Sequence, residues 1–162
     1  MVKVLFICLG NICRSPMAHG SFRDLIRDRG LGQRVEVDSC GTSAYHAGEP
    51  PDSNMIQVAA RHGVEISDLV SRQLVRDDYF DFDLLVAMDR SNFHDALSGK
   101  PSDSPGELVR FMDFVPGAES SDVPDPWWGG QLEGFEKVYR IISEGLDGVL
   151  ERALALEAEQ TQ

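Results

Sequence analysis

The sequence predicts a single α/β domain built on a parallel sheet. Three observations carry the prediction. Apolar runs of strand length alternate with segments of helical periodicity. The first run, Val2 to Ile7, is apolar except for Lys3, as in a central strand covered on both faces. The end of the chain carries one long apolar stripe, Phe135, Val138, Ile141, Ile142, Leu146, Val149, Leu150 and Leu154. Strands that alternate with helices pair in parallel through right-handed crossovers.

The elements follow in order. Val2 to Ile7 is the first strand. Ser15 and Pro16 read as N-cap and first helical residue, where proline's missing N–H costs nothing. Ala18, Phe22, Leu25 and Ile26 then recur at helical spacing, and Gly30 suits the stop. Val35, Val37 and Ser39 begin a second strand that ends in Cys40-Gly41-Thr42-Ser43, and a loop follows from Ala44 to Asp52. A helix is expected from about Asp52 to His62, with Met55, Val58 and Ala59 inward. Asp83 to Met88 is a third strand, Asp89 to Leu97 a helix, and Leu108 to Phe114 a fourth strand interrupted by Arg110 and Asp113. Lys100 to Gly106 and Val115 to Gly130 are loop by composition.

Bulk properties narrow the function. At 162 residues, with 42% hydrophobic and 26% charged residues, the chain is long enough for one sizeable core. There is no internal repeat and no linker, so residues 1–162 are expected to form one domain, with about 157–162 a frayed tail. The net charge of −12 argues against nucleic acid and anionic membranes as main partners, while leaving room for a local positive pocket. No window approaches the roughly 18 apolar residues of a membrane span. The start lacks the long apolar stretch and small-residue cleavage site of a secretion signal, so a cytoplasmic protein is expected. Three cysteines in such a protein argue against a disulfide framework.

The stretch "CLGNICRSP", Cys8 to Pro16, joins the first strand to the first helix. Ligands of open parallel sheets bind beyond the carboxyl ends of the strands. A helix start at that place presents free N–H groups and the positive dipole end, which suit an anion. Gly10 turns freely and Asn11 tolerates a left-handed conformation. A loop of Leu9, Gly10, Asn11, Ile12, Cys13, Arg14 and Ser15 curled round one centre aims its N–H groups inward as a nest. Arg14 adds a rigid fork that matches two phosphate oxygens. Cys8 sits in the mouth of this ring, where the field that binds the anion also stabilises a thiolate, and Ser15 is placed to donate to the sulfur. A nucleophile beneath an oxyanion cradle is what a phosphate-ester hydrolase needs. The competing readings are weaker. A structural zinc site needs four ligands and the chain has no second cysteine pair; a nucleotide-type phosphate loop needs Gly-Lys-Ser/Thr, which is absent.

Ester hydrolysis also needs a proton for the leaving group and an activated water. The candidate is "VPDPWWGG", where Asp125 lies between two prolines and ahead of Trp127 and Trp128. Alone, this segment reads equally well as a Pro-rich turn around a buried tryptophan. Paired with the Cys8 loop, it supplies an acid and an aromatic wall for a flat substrate.

"VLFICLGNICRSPMAHGSF", "VDSCGTSAYHAGEPPD", "FDLLVAMDRSN" and "DPWWGG" together resemble the low-molecular-weight protein tyrosine phosphatase family, in order and over nearly the whole chain. The resemblance implies a flavodoxin-like four-stranded parallel sheet flanked by helices on both faces. It implies Cys8 as nucleophile, Arg14 as phosphate clamp and Asp125 as general acid, then base. Asn11, Ser15 and Ser39 would hold the loop in shape, and Asp89 would pair with Arg14. Tyr45 and Trp127 would wall an aromatic slot, with Trp128 beside them and Ile12 near its floor or rim. Neither cofactor nor metal is implied. The implied partner is a phosphotyrosine-containing protein, a bacterial tyrosine kinase being one family-level candidate. Two departures stand out. Tryptophans replace the two tyrosines that many members carry after Asp-Pro, and Leu69 lies near the place where many carry a histidine.

Within this resemblance, a phosphoarginine-specific branch tends to carry threonine where this chain has Ile12, which favours phosphotyrosine here. A thiol-dependent arsenate reductase would need further cysteines well downstream, and the chain has none after Cys40. A phosphoresidue-binding module without catalysis would have lost Cys8 or Asp125, and both are present. Cys13, five residues from Cys8, is expected to act as a redox guard for it.

Overall fold

A computed structural model describes residues 1–162. Four strands, β1 (Val2–Cys8), β2 (Val35–Gly41), β3 (Leu84–Ala87) and β4 (Glu107–Arg110), form one sheet in the order β2-β1-β3-β4. All three pairings are parallel, with Cys8 opposite Gly41 and Ile7 opposite Ala87. The helices are α1 (Arg14–Asp28), α2 (Ser53–Arg61), a single turn α3 (Asp78–Asp81), α4 (Arg90–Gly99) and α5 (Leu132–Gln160). This is the four-stranded parallel architecture that the sequence predicts.

The apolar run of β1 is explained by the two faces of the sheet. Successive side chains of a strand point to opposite faces. Val2, Val4 and Phe6 join the larger core with residues of α1, α2 and α5, while Leu5 and Ile7 join a smaller one with Cys40, Tyr79, Leu85 and Ala96. Phe6 meets Phe22 edge to face at 5.5 Å, so the centre of the sheet is locked to α1. All seven β1 residues but Lys3 are buried. That rigid strand carries Cys8 at its end.

Three expectations need correction. Helix α1 begins at Arg14 with Cys13 as its cap residue, not at Pro16 behind a Ser15 cap. The Ser15 hydroxyl is committed to the Cys8 sulfur and to Asn11 instead. Pro16 still falls in the first turn, where N–H groups have no helical partner. The expected strand from Leu108 to Phe114 ends at Arg110, and Phe111–Phe114 form a 3₁₀ turn. That turn puts both Phe111 and Met112 into the larger core; strand alternation would have sent them to opposite faces of the sheet. Gly145 of α5 crosses there, and a Cβ on it would lie 2.7 Å from the Phe111 ring. Finally, α5 runs through Gln160, past the residue where fraying was expected. Arg34 holds Glu157 at 2.6 Å, and Gln160 donates to Asp83 at 2.6 Å. Within the stretch expected as loop, Pro126–Trp128 form one short 3₁₀ turn.

Candidate active site

The loop between β1 and α1 closes into a cup, and its carbonyls show how. The Cys8 carbonyl accepts from Thr42 N at 2.8 Å and that of Leu9 from Ser43 N at 3.0 Å. The Gly10 carbonyl accepts from Ser71 Oγ at 2.9 Å and that of Ile12 from Asp52 N at 2.8 Å. In a planar trans peptide the N–H points opposite to the C=O. Carbonyls tied outward therefore turn the following N–H groups, those of Leu9, Gly10, Asn11 and Cys13, into the cup. The Asn11 N–H donates to Cys8 Sγ at 3.3 Å. The amides of Leu9, Gly10 and Cys13 donate to no protein atom. Asn11 takes φ 57°, the left-handed conformation expected of it.

Gly41, opposite Cys8 on β2, is required by this packing. A Cβ there would lie 2.6 Å from the Leu9 carbonyl oxygen and 3.1 Å from the Gly10 carbonyl carbon. Both are backbone atoms that cannot swing aside.

A chain of side-chain hydrogen bonds supports the cup from behind. Asn11 Oδ1 accepts from the Arg72 N–H at 3.1 Å, which fixes the amide orientation. Its Nδ2 then donates to Ser15 Oγ at 2.7 Å and to Ser39 Oγ at 3.1 Å. Each hydroxyl is left with a proton to give. Ser15 lies 3.0 Å from Cys8 Sγ, and Ser39 lies 3.0 Å from His19 Nδ1. Arg72 is itself braced by Asp38 at 3.0 Å and Asp78 at 2.9 Å. These carboxylates, working against its partial burial, hold its guanidinium firmly protonated.

Arg14 lies 3% exposed below the cup. Its Nη1 donates to Asp89 Oδ2 at 2.6 Å and to the Val123 carbonyl at 3.0 Å. Asp89 accepts from Asn92 N through its other oxygen, so one carboxylate both caps α4 and aims the guanidinium. Burial works against the charge of Arg14, but the Cys8 sulfur, Asp89 and Asp125 outweigh it and raise the guanidinium pKa. Asp125 Oδ2 lies 3.6 Å from Arg14 Nη2, and its Oδ1 accepts from Trp127 N at 3.1 Å. Burial first, then the nearby charge of Asp52, pushes the Cys13 thiol pKa up.

A cavity of about 300 Å³ opens above these groups. Buried Cys8, Ile12, Cys13 and Arg14 line it, Asp125 stands at one side, and Leu9, Gly10, Tyr45, His46, Trp127 and Trp128 complete its lining. Tyr45 and Trp128 are 82% and 75% exposed, so the upper walls stand in solvent rather than in a core. The two indoles pack edge to face at 5.0 Å. No group of three or more His, Cys, Asp or Glu side chains is placed to hold a metal ion.

The structure thus gathers all of the singled-out residues, Cys8 to Ser15, Ser39, Tyr45, Asp89, Asp125, Trp127 and Trp128, in or directly behind one cup. Sequence reasoning passed over His19, His46, Ser71 and Arg72. The last two lie 61 residues from the loop atoms they bond. Both stand in the stretch Ser71 to Leu74, just after Leu69.

The family model for low molecular weight phosphotyrosine protein phosphatase matches residues 3–161. The chain belongs to this family. It is similar to the low molecular weight protein-tyrosine-phosphatase YfkJ of Bacillus subtilis, 37% identical over 150 residues that cover 93% of this chain and 94% of that one. Its fold matches a crystal structure of a protein tyrosine phosphatase from Entamoeba histolytica, with a TM-score of 0.88, 34% identity and coverage of 94% and 96%. It also matches DARP, described as a Drosophila arginine phosphatase, with a TM-score of 0.85, 31% identity and coverage of 93% and 97%. As a member of this phosphatase family the chain is an enzyme. No helix in it is long and apolar enough to cross a membrane.

Proposed function

We propose that this phosphatase hydrolyses phosphotyrosine in proteins through a phosphocysteine on Cys8. The observation that carries the reading is the cup itself. The Cys8 sulfur sits among inward-facing amides, above an arginine aimed by Asp89 and beside Asp125. A phosphoryl group in the cup meets amide donors and the Arg14 fork on its oxygens. The thiolate of Cys8 attacks phosphorus while the bond to the phenol oxygen breaks. Asp125 gives its proton to that oxygen. The resulting carboxylate then takes a proton from the water that attacks the phosphocysteine, releasing phosphate and the thiolate. The hydrogen bonds from Asn11 N–H and Ser15 stabilise the sulfur as a leaving group.

The walls select the ester. A phosphotyrosine ring spans the distance from the cup to the rim formed by Tyr45, Trp127 and Trp128 and can stack there, worth about 0.5–1.5 kcal/mol per aromatic pair. Phosphoserine is too short to reach without drawing peptide backbone into the slot. A second reading, phosphoarginine, draws support from the similarity to DARP. Against it stands Ile12, buried and apolar in the cavity lining, which would leave guanidinium donors unpaired. A thiol nucleophile works where thiols stay reduced, so the reading puts the enzyme in the cytoplasm. A tyrosine kinase that carries phosphotyrosine would be one such substrate.

Two measurements test this. Cys8→Ser abolishes turnover while phosphate and vanadate still bind; substantial hydrolysis by that variant removes Cys8 from the nucleophile role. The kcat/KM values rank phosphotyrosine peptides first, phosphoarginine well behind and phosphoserine negligible, and Ile12→Thr narrows the first gap. A higher value for phosphoarginine reverses the substrate assignment and leaves the thiol chemistry standing.

A further inference from the structure

Of the fifteen lysines and arginines, all but Arg76, Lys100, Lys137 and Arg140 are paired with a carboxylate. Arg76 lies over the Phe80 ring at 5.7 Å, and Lys100 donates to Ser104 at 2.8 Å. Only Lys137 and Arg140 have no ion partner, no hydrogen-bond acceptor and no aromatic ring against them. They are exposed, and they stand three residues apart on α5, about one turn, so they share a face.

Both line the same open groove, of about 620 Å³, between the start of α5 and the end of α2. Arg61 of α2 adds a third cation. Two carboxylates belong to the groove as well. Glu136 is already held by His62 at 2.7 Å and Arg61 at 3.6 Å, and Glu133 lies in the first turn of α5. Lys137 also lines the neighbouring hollow, whose other members include Asp125 and Pro126. The groove therefore connects along the surface with the catalytic slot.

We infer that this groove is an anion subsite for the substrate polypeptide: it seats an acidic or second phosphorylated side chain near the phosphotyrosine in the slot. The inference rests on the phosphotyrosine reading above. Its chemistry runs against the molecule as a whole. A chain of net charge −12 repels an acidic peptide over roughly a Debye length of 8–10 Å. Without a local cationic subsite, acidic flanks lower kcat/KM. A preference for acidic flanks requires unpaired cations within reach of the slot, and Lys137 and Arg140 are those cations.

The test uses three sets of phosphotyrosine peptides. One set has neutral flanks, one has glutamates at 2 to 7 residues on either side, and one has a second phosphotyrosine at the same spacings. At low ionic strength, the wild type prefers an anionic set about fivefold in kcat/KM, through KM, and added salt erases the preference. The double variant Lys137→Gln, Arg140→Gln loses it, while its turnover of p-nitrophenyl phosphate stays at the wild-type value. Preference for one anionic set alone tells whether carboxylate or phosphate is read. Equal turnover of all three sets by the wild type, or a preference that survives in the double variant, overturns the subsite. If neutral phosphotyrosine peptides are cleaved, the phosphatase reading stands in either case. If no phosphotyrosine peptide is cleaved, that reading falls and the subsite with it.

Discussion

His19 Nδ1 stands 3.0 Å from Ser39 Oγ, at the far end of the hydrogen-bond chain that begins at the Cys8 sulfur. Asn11 donates to Ser39, and the ring is the one acceptor within reach of the Ser39 proton, which assigns Nδ1 as the unprotonated nitrogen. Burial lowers the His19 pKa from 6.5 to about 4, although Asp38 at 4.0 Å opposes it; Arg23 and Arg72 push in the same direction as burial, and Asp68 against. The unfolded chain takes up this proton near 6.5 and the native fold only near 4. His19 therefore contributes its full stability above about 6.5 and loses it as the pH falls to 4, on the order of 3 kcal/mol. Urea titrations at several pH values read this directly. His19→Gln, whose oxygen still accepts from Ser39 but does not titrate, flattens that acid limb. An unchanged limb would mean that other groups set it.

In the proposed mechanism Asp125 acts on the leaving group, so its removal is felt in proportion to how much the leaving group needs a proton. Asp125→Asn lowers kcat strongly on phenyl phosphates of high leaving-group pKa and less on p-nitrophenyl phosphate. A Brønsted plot across substituted phenyl phosphates steepens in the variant. Equal losses across the series would make Asp125 structural.

Cys13 shares the cavity lining with Cys8, and its buried thiol stays protonated. We expect peroxide to convert the Cys8 thiolate to a sulfenic acid and the Cys13 thiol to condense with it to a disulfide, releasing water. After mild peroxide, wild-type activity returns fully with dithiothreitol, whereas Cys13→Ser retains a lost fraction that grows with exposure. Identical recovery of the two would end this role.

Gly41→Ala tests the rear wall of the cup. The added methyl meets backbone at 2.6 Å and 3.1 Å, so the loop itself must move. Overpacking of this kind costs about 1–3 kcal/mol in stability. Because the displaced atoms belong to Leu9 and Gly10, kcat/KM on p-nitrophenyl phosphate falls roughly tenfold or more, as expected when positioning is lost. Wild-type kinetics with only a lower Tm would show that the cup tolerates the shift.

What the sequence determined by itself is what is local. Strand β1, the cup and the start of α1 lie within one continuous stretch, so the residues that shape the cup are neighbours in the chain. Asn11 at φ 57° and Ser15 beside the sulfur could be read there because backbone preference and a seven-residue separation decide them. The long stripe of α5 was legible for the same reason, since helical periodicity repeats within a few residues. Tertiary structure decided the rest. Whether Phe111 continued a strand depended on the room left by Gly145 of α5, which no local pattern records. Ser71 and Arg72 hold the loop, and His19 meets Ser39, only because the parallel sheet brings β1, β2 and the segment after α2 to one edge. The charge of −12 left room for a local positive pocket without placing one, and Lys137 and Arg140 are left unpaired because ion pairing is set by which side chains the fold brings within about 4 Å and not by composition.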